Sequence, residues 1–428
     1  MLRVPKLVLI ALLSVLFVLL AGCTTATTDS TTSAPSTTLP TSTANWTVVE
    51  AGHGALGGWL DGVDCVTATS CVAVGNESGA GTANAKALVE TLHGGSWSAK
   101  TAPSAPKGTG DFLFSVSCPI VGSCVAVGYY FTSSATGGTG TALIETLAHG
   151  SWSVTPIPSL GHDVVDSFLY GVSCATTVDC VAVGATQNTG ATTHEALIMT
   201  LDKGKWSLTS GPSLGSQQGG LQGVSCTSPT SCTAAGWQST AYANASASLV
   251  ESLAGGSWSV VPSPSIGTQS WNSTLPTGGL NGVSCASEAS CMAVGQFTGP
   301  VPTIDVLANR TWTAAVSPDP DPTDGATGLV GVSCTTTTDC VAVGSLAAAG
   351  IKNTPAGALG LPLGALIETY SAGAWTVDAN PSGLPADSGL HDVSCVGDAC
   401  VAVGQAGQSI NDTSTLKTLI VRTGTHSA

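Results

Sequence analysis

The stretch GVSCATTVDCVAVG at residues 171–184 decides the fold, because close variants of it occur seven times along the chain. Each copy holds two cysteines with five residues between them, or four in the last copy. The first cysteines of successive copies lie 49 to 61 residues apart. Repeats of this length are typical of solenoids, repeat arrays and propellers.

Each repeat contains four short segments that are rich in Val, Thr and Leu and bounded by Gly, Ser or Pro, which is the pattern of β-strands. We expect strand A to end at the first cysteine and strand B to begin at the second. Strand C is an apolar run such as Ala142 to Leu147, and strand D begins at a Trp such as Trp152. Four antiparallel strands repeated seven times predict an all-β, seven-bladed β-propeller, whose closure removes exposed sheet edges.

The two ends of the chain supply complementary parts of one blade. The last repeat has no Trp strand after its strand C near residues 418–421, whereas residues 46–49 are a Trp strand with no strands before it. We therefore expect the N-terminal strand to complete blade 7, so that residues 45–428 form a single domain. This arrangement resembles WD40-, YVTN- and BNR-type propellers in architecture. The chain lacks the Trp-Asp signature of WD repeats and the Ser-x-Asp-x-Gly-x-x-Trp box of sialidase-type repeats, so the resemblance implies a fold and no activity.

Fourteen of the 15 cysteines belong to the seven repeats. The pairs are Cys65 and Cys71, Cys118 and Cys124, Cys174 and Cys180, Cys226 and Cys232, Cys285 and Cys291, Cys334 and Cys340, and Cys395 and Cys400. Paired cysteines in an exported chain indicate disulfides, here each within one blade. The alternative is zinc, whose sites cluster Cys and His at short spacings, whereas these pairs have no His at a fixed offset.

The remaining cysteine follows a segment with the layout of an export signal. Arg3 and Lys6 precede an apolar run that is short for a bilayer-spanning helix. The run ends in Leu-Ala-Gly-Cys23, which resembles the lipobox of bacterial lipoproteins and implies cleavage after residue 22 and a lipid on Cys23. The alternative is an ordinary signal with a chance cysteine. Residues 23–44 are mostly Thr, Ser, Ala and Pro, which predicts a flexible linker. We expect an extracytoplasmic monomer, anchored to the bacterial cell membrane through the lipid alone.

The charge of the chain argues against one class of partner. The formal net charge is −15, and without the signal nine Lys and Arg stand against 26 Asp and Glu. A surface with so few basic residues cannot follow a phosphate backbone, so we expect no nucleic-acid partner.

The sequence contains no clear catalytic set. Arg310 and Arg422 are the only arginines after the signal, which excludes a standard sialidase with its three arginines. Strand C carries an acid at one recurrent position, which predicts a role in joining blades rather than in glycoside hydrolysis. The acids are Glu90, Glu145, Glu251, Asp305 and Glu368, with Met199 and Val421 at this position in blades 3 and 7.

Two further groups of residues could carry chemistry. Asp319, Asp321 and Asp324 are a calcium candidate, but interleaved prolines favour a solvated acidic turn, and we expect no cofactor. His162-Asp163 and His391-Asp392 resemble halves of a base–orienter pair, but no nucleophile motif accompanies them.

Comparison of the repeats separates positions that build the blade from positions that are free to differ. Strand A opens with Leu in every blade, whereas the next residue differs in all seven. The residue before the Leu is aromatic in blades 1 to 3 and Gly in blades 4 to 7. Because strand A lines the axis of a propeller, we expect an uneven ligand-binding surface where the D–A loops and the starts of strand A meet. Its predicted residues are Trp59, Asp61, Phe114, Tyr170, Gln222, Asn281 and His391. The alternative is that the aromatic residues only plug the axis or belong to the core.

The leading hypothesis is a non-enzymatic binding or scaffold module for a glycan, peptide or protein of the cell envelope. The second is a carbohydrate-active hydrolase or lyase that uses Asp61, His162, Asp163 or His391. The third is a purely structural envelope protein. The fold cannot choose among them, because propellers host many functions.

Overall fold

Antiparallel β-sheets make up the regular structure in the computed structural model. It describes residues 44–52, 57–77, 85–106, 108–132, 138–191, 193–215, 217–240, 246–264, 279–296, 302–318, 327–347, 363–385, 387–407 and 416–423. These residues belong to one compact unit, Leu39–Ala428. The predicted signal, Cys23, most of the linker and the calcium candidates Asp319, Asp321 and Asp324 lie outside the described residues. Within the described ranges, no helix is long and apolar enough to cross a membrane.

The described residues contain 28 strands, which form seven four-stranded antiparallel sheets. Blades 1 and 2 consist of β2 (Gly58–Thr67), β3 (Ser70–Glu77), β4 (Lys86–His93) and β5 (Ser96–Thr101), then β6 (Gly108–Ile120), β7 (Ser123–Thr132), β8 (Thr139–Ala148) and β9 (Ser151–Thr155). Blades 3 and 4 consist of β10 (Val164–Thr176), β11 (Asp179–Asn188), β12 (His194–Asp202) and β13 (Lys205–Thr209), then β14 (Gln217–Ser228), β15 (Ser231–Thr240), β16 (Ser246–Ala254) and β17 (Ser257–Val260). Blades 5 and 6 consist of β18 (Gly279–Ser287), β19 (Ser290–Gln296), β20 (Thr303–Ala308) and β21 (Thr311–Val316), then β22 (Thr327–Cys334), β23 (Cys340–Ala347), β24 (Leu363–Ser371) and β25 (Ala374–Val377). Blade 7 consists of β26 (Ser388–Val396), β27 (Ala399–Ala406), β28 (Lys417–Thr423) and, from the other end of the chain, β1 (Trp46–Val49).

Strand β1 closes the circle of blades. It pairs antiparallel with β28, with Trp46 opposite Thr423 and Val49 opposite Ile420. The Trp46 indole is buried, and its Nε1 donates a hydrogen bond to Asp378 Oδ2 at 2.8 Å, in the connector that enters blade 7. The predicted seven-bladed propeller, completed by its N-terminal strand, is confirmed.

The hydrophobic core lies between the blades. Each of seven clusters combines buried residues of two neighbouring blades, such as Val127 and Ile144 of blade 2 with Trp206 of blade 3. The repeated Leu of strand A is fully buried in every blade, at Leu60, Leu113, Leu169, Leu221, Leu280, Leu329 and Leu390. A blade therefore needs both neighbours to bury its apolar faces, as repeat architectures do in general.

The seven predicted disulfides are confirmed, and none joins two blades. In each, the Cα atoms of the two cysteines lie 3.9 to 4.1 Å apart across the A–B hairpin. The predicted strand boundaries were wrong by one to five residues. Strand A begins one to five residues before the Leu that was expected to open it, as at Gly108 before Leu113. Strand A passes its cysteine in every blade except blade 6, because two turn residues, such as Ala68 and Thr69, suffice for the hairpin. Strand D begins one residue before its Trp in blades 1 to 6.

Side chains on strand A tie each blade to the next around the axis. In six blades the Ser before the first cysteine accepts a hydrogen bond from the amide of the first cysteine in the following blade. The bonds are Cys174 to Ser117, Cys226 to Ser173, Cys285 to Ser225, Cys395 to Ser333 and Cys65 to Ser394, each 3.0 Å, and Cys334 to Ser284 at 2.9 Å. Asp64 takes the place of Ser in blade 1, and its Oδ2 accepts from the Cys118 amide at 2.6 Å. The seven bonds form a closed belt.

Two of the recurrent acids of strand C, Glu90 and Glu368, join blades, as predicted. Glu90 Oε2 accepts from the Gly52 amide at 2.8 Å, and Glu368 Oε1 accepts from Ser317 Oγ at 2.7 Å. Both donors lie in the connector that arrives from strand D of the preceding blade. In blade 7, where strand C has Val421, the connector itself carries the acid Asp378.

Candidate functional site

The residue after the strand-A Leu is a β-bulge in all seven blades. In blade 3, Leu169 pairs with Gly184 and Gly171 pairs with Val183, which leaves Tyr170 as the extra residue. The same shift leaves out Asp61, Phe114, Gln222, Asn281, Val330 and His391 in the other blades. These bulge residues are the ones that differ among the repeats. A bulge re-aims a side chain, so each blade directs a different residue toward the axis.

A glycine ends the Val-Ala-Val-Gly segment of strand B and its variants in blades 4 and 5, and the bulge opposite requires it. A Cβ added at Gly184 would lie 1.9 Å from the carbonyl oxygen of Phe168. The corresponding distance is 1.9 to 2.0 Å at Gly75, Gly128, Gly236, Gly295, Gly344 and Gly404. The Leu-x pair on strand A and the Gly on strand B are thus one structural device, repeated seven times.

All seven bulge residues line one axial cavity of about 560 Å³. This volume lies within the roughly 300–1,000 Å³ range of small-molecule sites. Of the predicted ligand-binding residues, Asp61, Phe114, Tyr170, Gln222, Asn281 and His391 therefore come together. Trp59, which stands before the Leu rather than after it, does not line the cavity. Val330, which was not predicted, does, and it is 38% exposed.

A histidine and a carboxylate meet where blade 7 adjoins blade 1. His391 Nδ1 lies 3.0 Å from Asp61 Oδ1 and 3.0 Å from the Leu60 carbonyl oxygen. Because both partners only accept, Nδ1 carries the proton. Burial lowers the pKa of His391, but the hydrogen bond and the charge of Asp61 outweigh it, so the pKa is raised. The His-Asp motif had suggested Asp392 as the partner of His391. The partner is instead Asp61 of the adjoining blade 1.

Two more carboxyls, those of Asp64 and Asp392, line the same cavity. Asp392 Oδ2 accepts from the Val63 amide at 2.9 Å and so joins blade 7 to blade 1. Burial raises the pKa of Asp392 to about 7 and that of Asp64, in the belt, to about 6. These two groups therefore titrate between about pH 6 and pH 7.

Aromatic rings form the wall at blades 2 and 3. The ring centroids of Phe114 and Tyr170 lie 5.8 Å apart, and Tyr129 on strand B contacts Phe114 at 5.5 Å and Phe168 at 4.9 Å. Burial, and after it the charge of Asp61, raises the pKa of Tyr129, so the Asp61 carboxylate acts on this wall. Phe112, at 5% exposed, belongs to the core.

The remaining wall, at blades 4 to 6, is formed by amides and small residues. Gln222, Asn281 and Gln296 line it, and Asn281 Nδ2 donates to the Leu329 carbonyl oxygen at 2.9 Å. The Gly before the Leu in blade 4 has a packing reason, because a Cβ at Gly220 would lie 3.1 Å from Nε1 of Trp237. The cavity is therefore acidic on one side, aromatic on a second and amide-lined on the third.

Other predicted residues lie elsewhere. His162 and Asp163 are exposed in the connector before β10, and neither Arg310 nor Arg422 lines the cavity. No three His, Cys, Asp or Glu side chains in the described ranges are placed to hold a metal ion.

Sequence reasoning missed Asp64 and Gln296 as cavity residues, and it missed Tyr129, which packs against the cavity residue Phe114. Asp64 carries a usable signal, since it breaks the repeated Ser before the first cysteine. Tyr129 and Gln296 directly follow the repeated Gly of strand B, a position that also varies among repeats.

No family model matches the chain, and a search of curated proteins found no match. Solved structures are similar in fold. YCF48 bound to D1 peptide has 13% identity and a TM-score of 0.52, over 92% of this chain and 99% of that one. A GH74 xyloglucanase from Xanthomonas campestris has 12% identity and a TM-score of 0.49, over 88% and 55%. A Trypanosoma rangeli sialidase has 9% identity and a TM-score of 0.47, over 88% and 58%. At these identities the likeness concerns the fold alone.

Proposed function

We propose that this chain is a non-enzymatic binding module, which receives part of a peptide, glycan or protein of the cell envelope in its axial cavity. The observation that carries the proposal is the placement of the seven bulge residues. The Leu, Ser and Gly around them repeat because they hold the blades together, whereas the bulge residues differ and all line one cavity. A different residue from each blade at the same place around one cavity allows recognition of an asymmetric ligand.

The chemistry of the wall supports binding of a polar ligand with an apolar part. Aromatic rings such as Tyr170 supply contact area, while the amides of Gln222 and Asn281 and the carboxylate of Asp61 supply directional hydrogen bonds. The peptide complex of YCF48 is an example of a ligand held by a protein of similar fold.

A thermal-shift screen of the oxidised full chain in detergent, against envelope glycans and peptides, tests this function. A ligand of the native state raises the melting temperature, by mass action. We expect at least one compound to do so and Tyr170→Ala to abolish the rise. Tyr370→Ala is the matched control, since Tyr370 packs against Trp375 in blade 6 and does not line the cavity. A screen with no shift, or a shift unaffected by Tyr170→Ala, would contradict the proposal.

One observation favours a second candidate, a carbohydrate-active hydrolase or lyase. The Asp61–His391 hydrogen bond has the geometry of an orienter and a general base, with Nδ1 held and the other ring nitrogen left for proton transfer. Turnover of a bound glycan that is lost in His391→Gln would support this candidate, and retention of an intact glycan supports the binding module.

We also propose that the propeller is exported and anchored through a lipid on Cys23, on the resemblance of residues 20–23 to a lipobox. Membrane fractionation of Cys23→Ala checks this, with release of the mutant protein expected. Continued membrane association of the mutant would argue against the anchor.

A further inference from the structure

We propose that the axial cavity receives a basic side chain, the guanidinium of arginine or the ammonium of lysine, presented by a peptide or protein. This inference rests on the binding function proposed above and names the ligand class for the same site. Three features of the wall support it: its acidic groups, an acceptor atom without a donor, and the position of the aromatic rings.

The cavity wall carries three acidic groups, and it becomes more negative as the pH rises through 6 to 7, where Asp64 and Asp392 lose their protons. Asp61, Asp64 and Asp392 line the cavity, together with His391, and no Lys or Arg of the described part of the chain does. Protonated His391 offsets one of the three carboxylates, the one to which it is hydrogen-bonded. In a cavity with low-dielectric protein walls, several carboxylates together concentrate a negative potential in the interior, which favours a cation.

Asp61 has an oxygen that lacks a donor. Its Oδ1 is bonded to His391, whereas Oδ2 is shielded from solvent and has no hydrogen-bond partner among the described residues. The Asp61 side chain is 14% exposed. A buried acceptor without a donor is unfavourable, and a small shift of the Asp61 side chain would let a cationic N–H donor in the cavity satisfy it with a charge-assisted bond.

The aromatic wall lies within the field of the same carboxylate. Phe114 and Tyr170 line the cavity, Tyr129 contacts Phe114, and the charge of Asp61 helps to raise the pKa of Tyr129. A cation beside an aromatic face is stabilised by the ring quadrupole, and a guanidinium can also stack on the ring. An acidic ligand group would be repelled here, and a neutral sugar hydroxyl would leave the carboxylate charges without a counter-ion.

The test measures binding of four blocked pentapeptides, acetyl-Gly-Gly-X-Gly-Gly-amide, to the oxidised full chain by calorimetry. X is Arg, Lys, citrulline or Glu, and citrulline has the shape of Arg without its charge. We expect the Arg and Lys peptides to bind, the citrulline peptide to bind at least tenfold more weakly, and the Glu peptide not to bind. Equal affinity for Arg and citrulline would overturn the proposal.

Two variants locate the cation. Asp61→Asn keeps the size of the side chain and is expected to reduce affinity for the Arg peptide at least tenfold. Asp202→Asn removes an exposed charge far along the chain, on strand C of blade 3, and is expected to change nothing. If Asp61→Asn fails to fold, Phe114→Leu replaces it, with an expected loss of at least threefold. An equal loss in Asp202→Asn would mean unspecific attraction to an acidic protein and would overturn the proposal.

The outcomes separate this inference from the binding function. If no pentapeptide binds but the thermal-shift screen finds a ligand that depends on Tyr170, the cation inference is wrong and the binding function stands. If neither experiment finds a ligand, both are wrong.

Discussion

At the scale of single residues, one pairing explains most of the repeated sequence. The bulge after the strand-A Leu brings the backbone of strand A against strand B, and only a residue without a Cβ fits there. The bulge leaves one residue per blade without a pairing partner on strand B. That position carries the differences among blades, from Asp61 through Tyr170 to His391. The conserved structure of the blade and the variety of the cavity therefore have the same origin.

We predict that Gly184→Ala destabilises the oxidised protein by at least about 1 kcal/mol, since overpacking of a filled site typically costs about 1–3 kcal/mol. The added Cβ would meet the Phe168 carbonyl oxygen at 1.9 Å, and backbone cannot move aside as a side chain can. Chemical denaturation measures the change. Gly138→Ala, before strand C of blade 2, is the control, because its added Cβ meets nothing closer than 3.5 Å. Equal effects of the two substitutions would show that the bulge does not require glycine.

At the scale of elements, the joints between blades hold the molecule together. The disulfides and sheet hydrogen bonds act within blades, whereas the serine belt, the strand-C acids and the seven clusters act between them. The joint in blade 7 differs, because β1 comes from the other end of the chain and no covalent bond links it to β28. Its side-chain contacts must supply what the chain connection supplies in the other blades.

We predict that Trp46→Phe costs about 1.5–3 kcal/mol more than Trp258→Phe, the range for a hydrogen bond to a charged group. Asp378 Oδ2 keeps its bond from Thr369 Oγ1 in this variant. Both tryptophans are buried on strand D, but only Trp46 donates through Nε1, to Asp378, whereas Trp258 Nε1 has no partner among the described residues. The comparison cancels the loss of ring volume. Urea denaturation of both variants measures the difference, and a difference near zero would mean that the Trp46–Asp378 bond does not secure the closing strand.

At the scale of the whole molecule, buried carboxyls make stability depend on pH. Burial raises the pKa of Glu145 to about 8 and those of Glu251, Asp305 and Asp392 to about 7. Between their ordinary values near 4 and these values, the folded state binds more protons than the unfolded state. Stability from these groups is therefore fully present below about pH 4 and is lost as the pH rises through 7 to 8.

We predict that the free energy of unfolding falls between pH 5 and pH 8, by up to about 1.4 kcal/mol per pH unit for each such carboxyl. Glu145→Gln removes one titrating group and is expected to make the slope shallower. Glu195→Gln, an exposed acid on strand C of blade 3, is expected to leave the slope unchanged. Denaturation curves at several pH values supply the slope. If stability instead rose over this range, burial of these acids in their charged form would not be unfavourable, and the prediction would be wrong.

The sequence by itself determined the number of blades, the four strands in each, the disulfide pairs and the closure by residues 46–49. All of these depend on short-range patterns that recur, such as GVSC and CVAVG, so that seven copies in one chain support each other. Comparison of the copies also identified six of the seven bulge residues as candidate site residues. A position that differs among the repeats is not needed to build the blade and can therefore serve binding.

Only the tertiary structure decided which of these residues face one another. Asp61 and His391 are 330 positions apart and meet because β1 closes the circle and brings blade 7 against blade 1. The same closure turns Asp392 toward Val63, and a bulge, which the strand pattern does not reveal, places Asp61 in the cavity and leaves Trp59 out of it. Local patterns report what a residue does within its own blade, whereas the cavity is made of contacts between blades, which depend on how the whole circle packs.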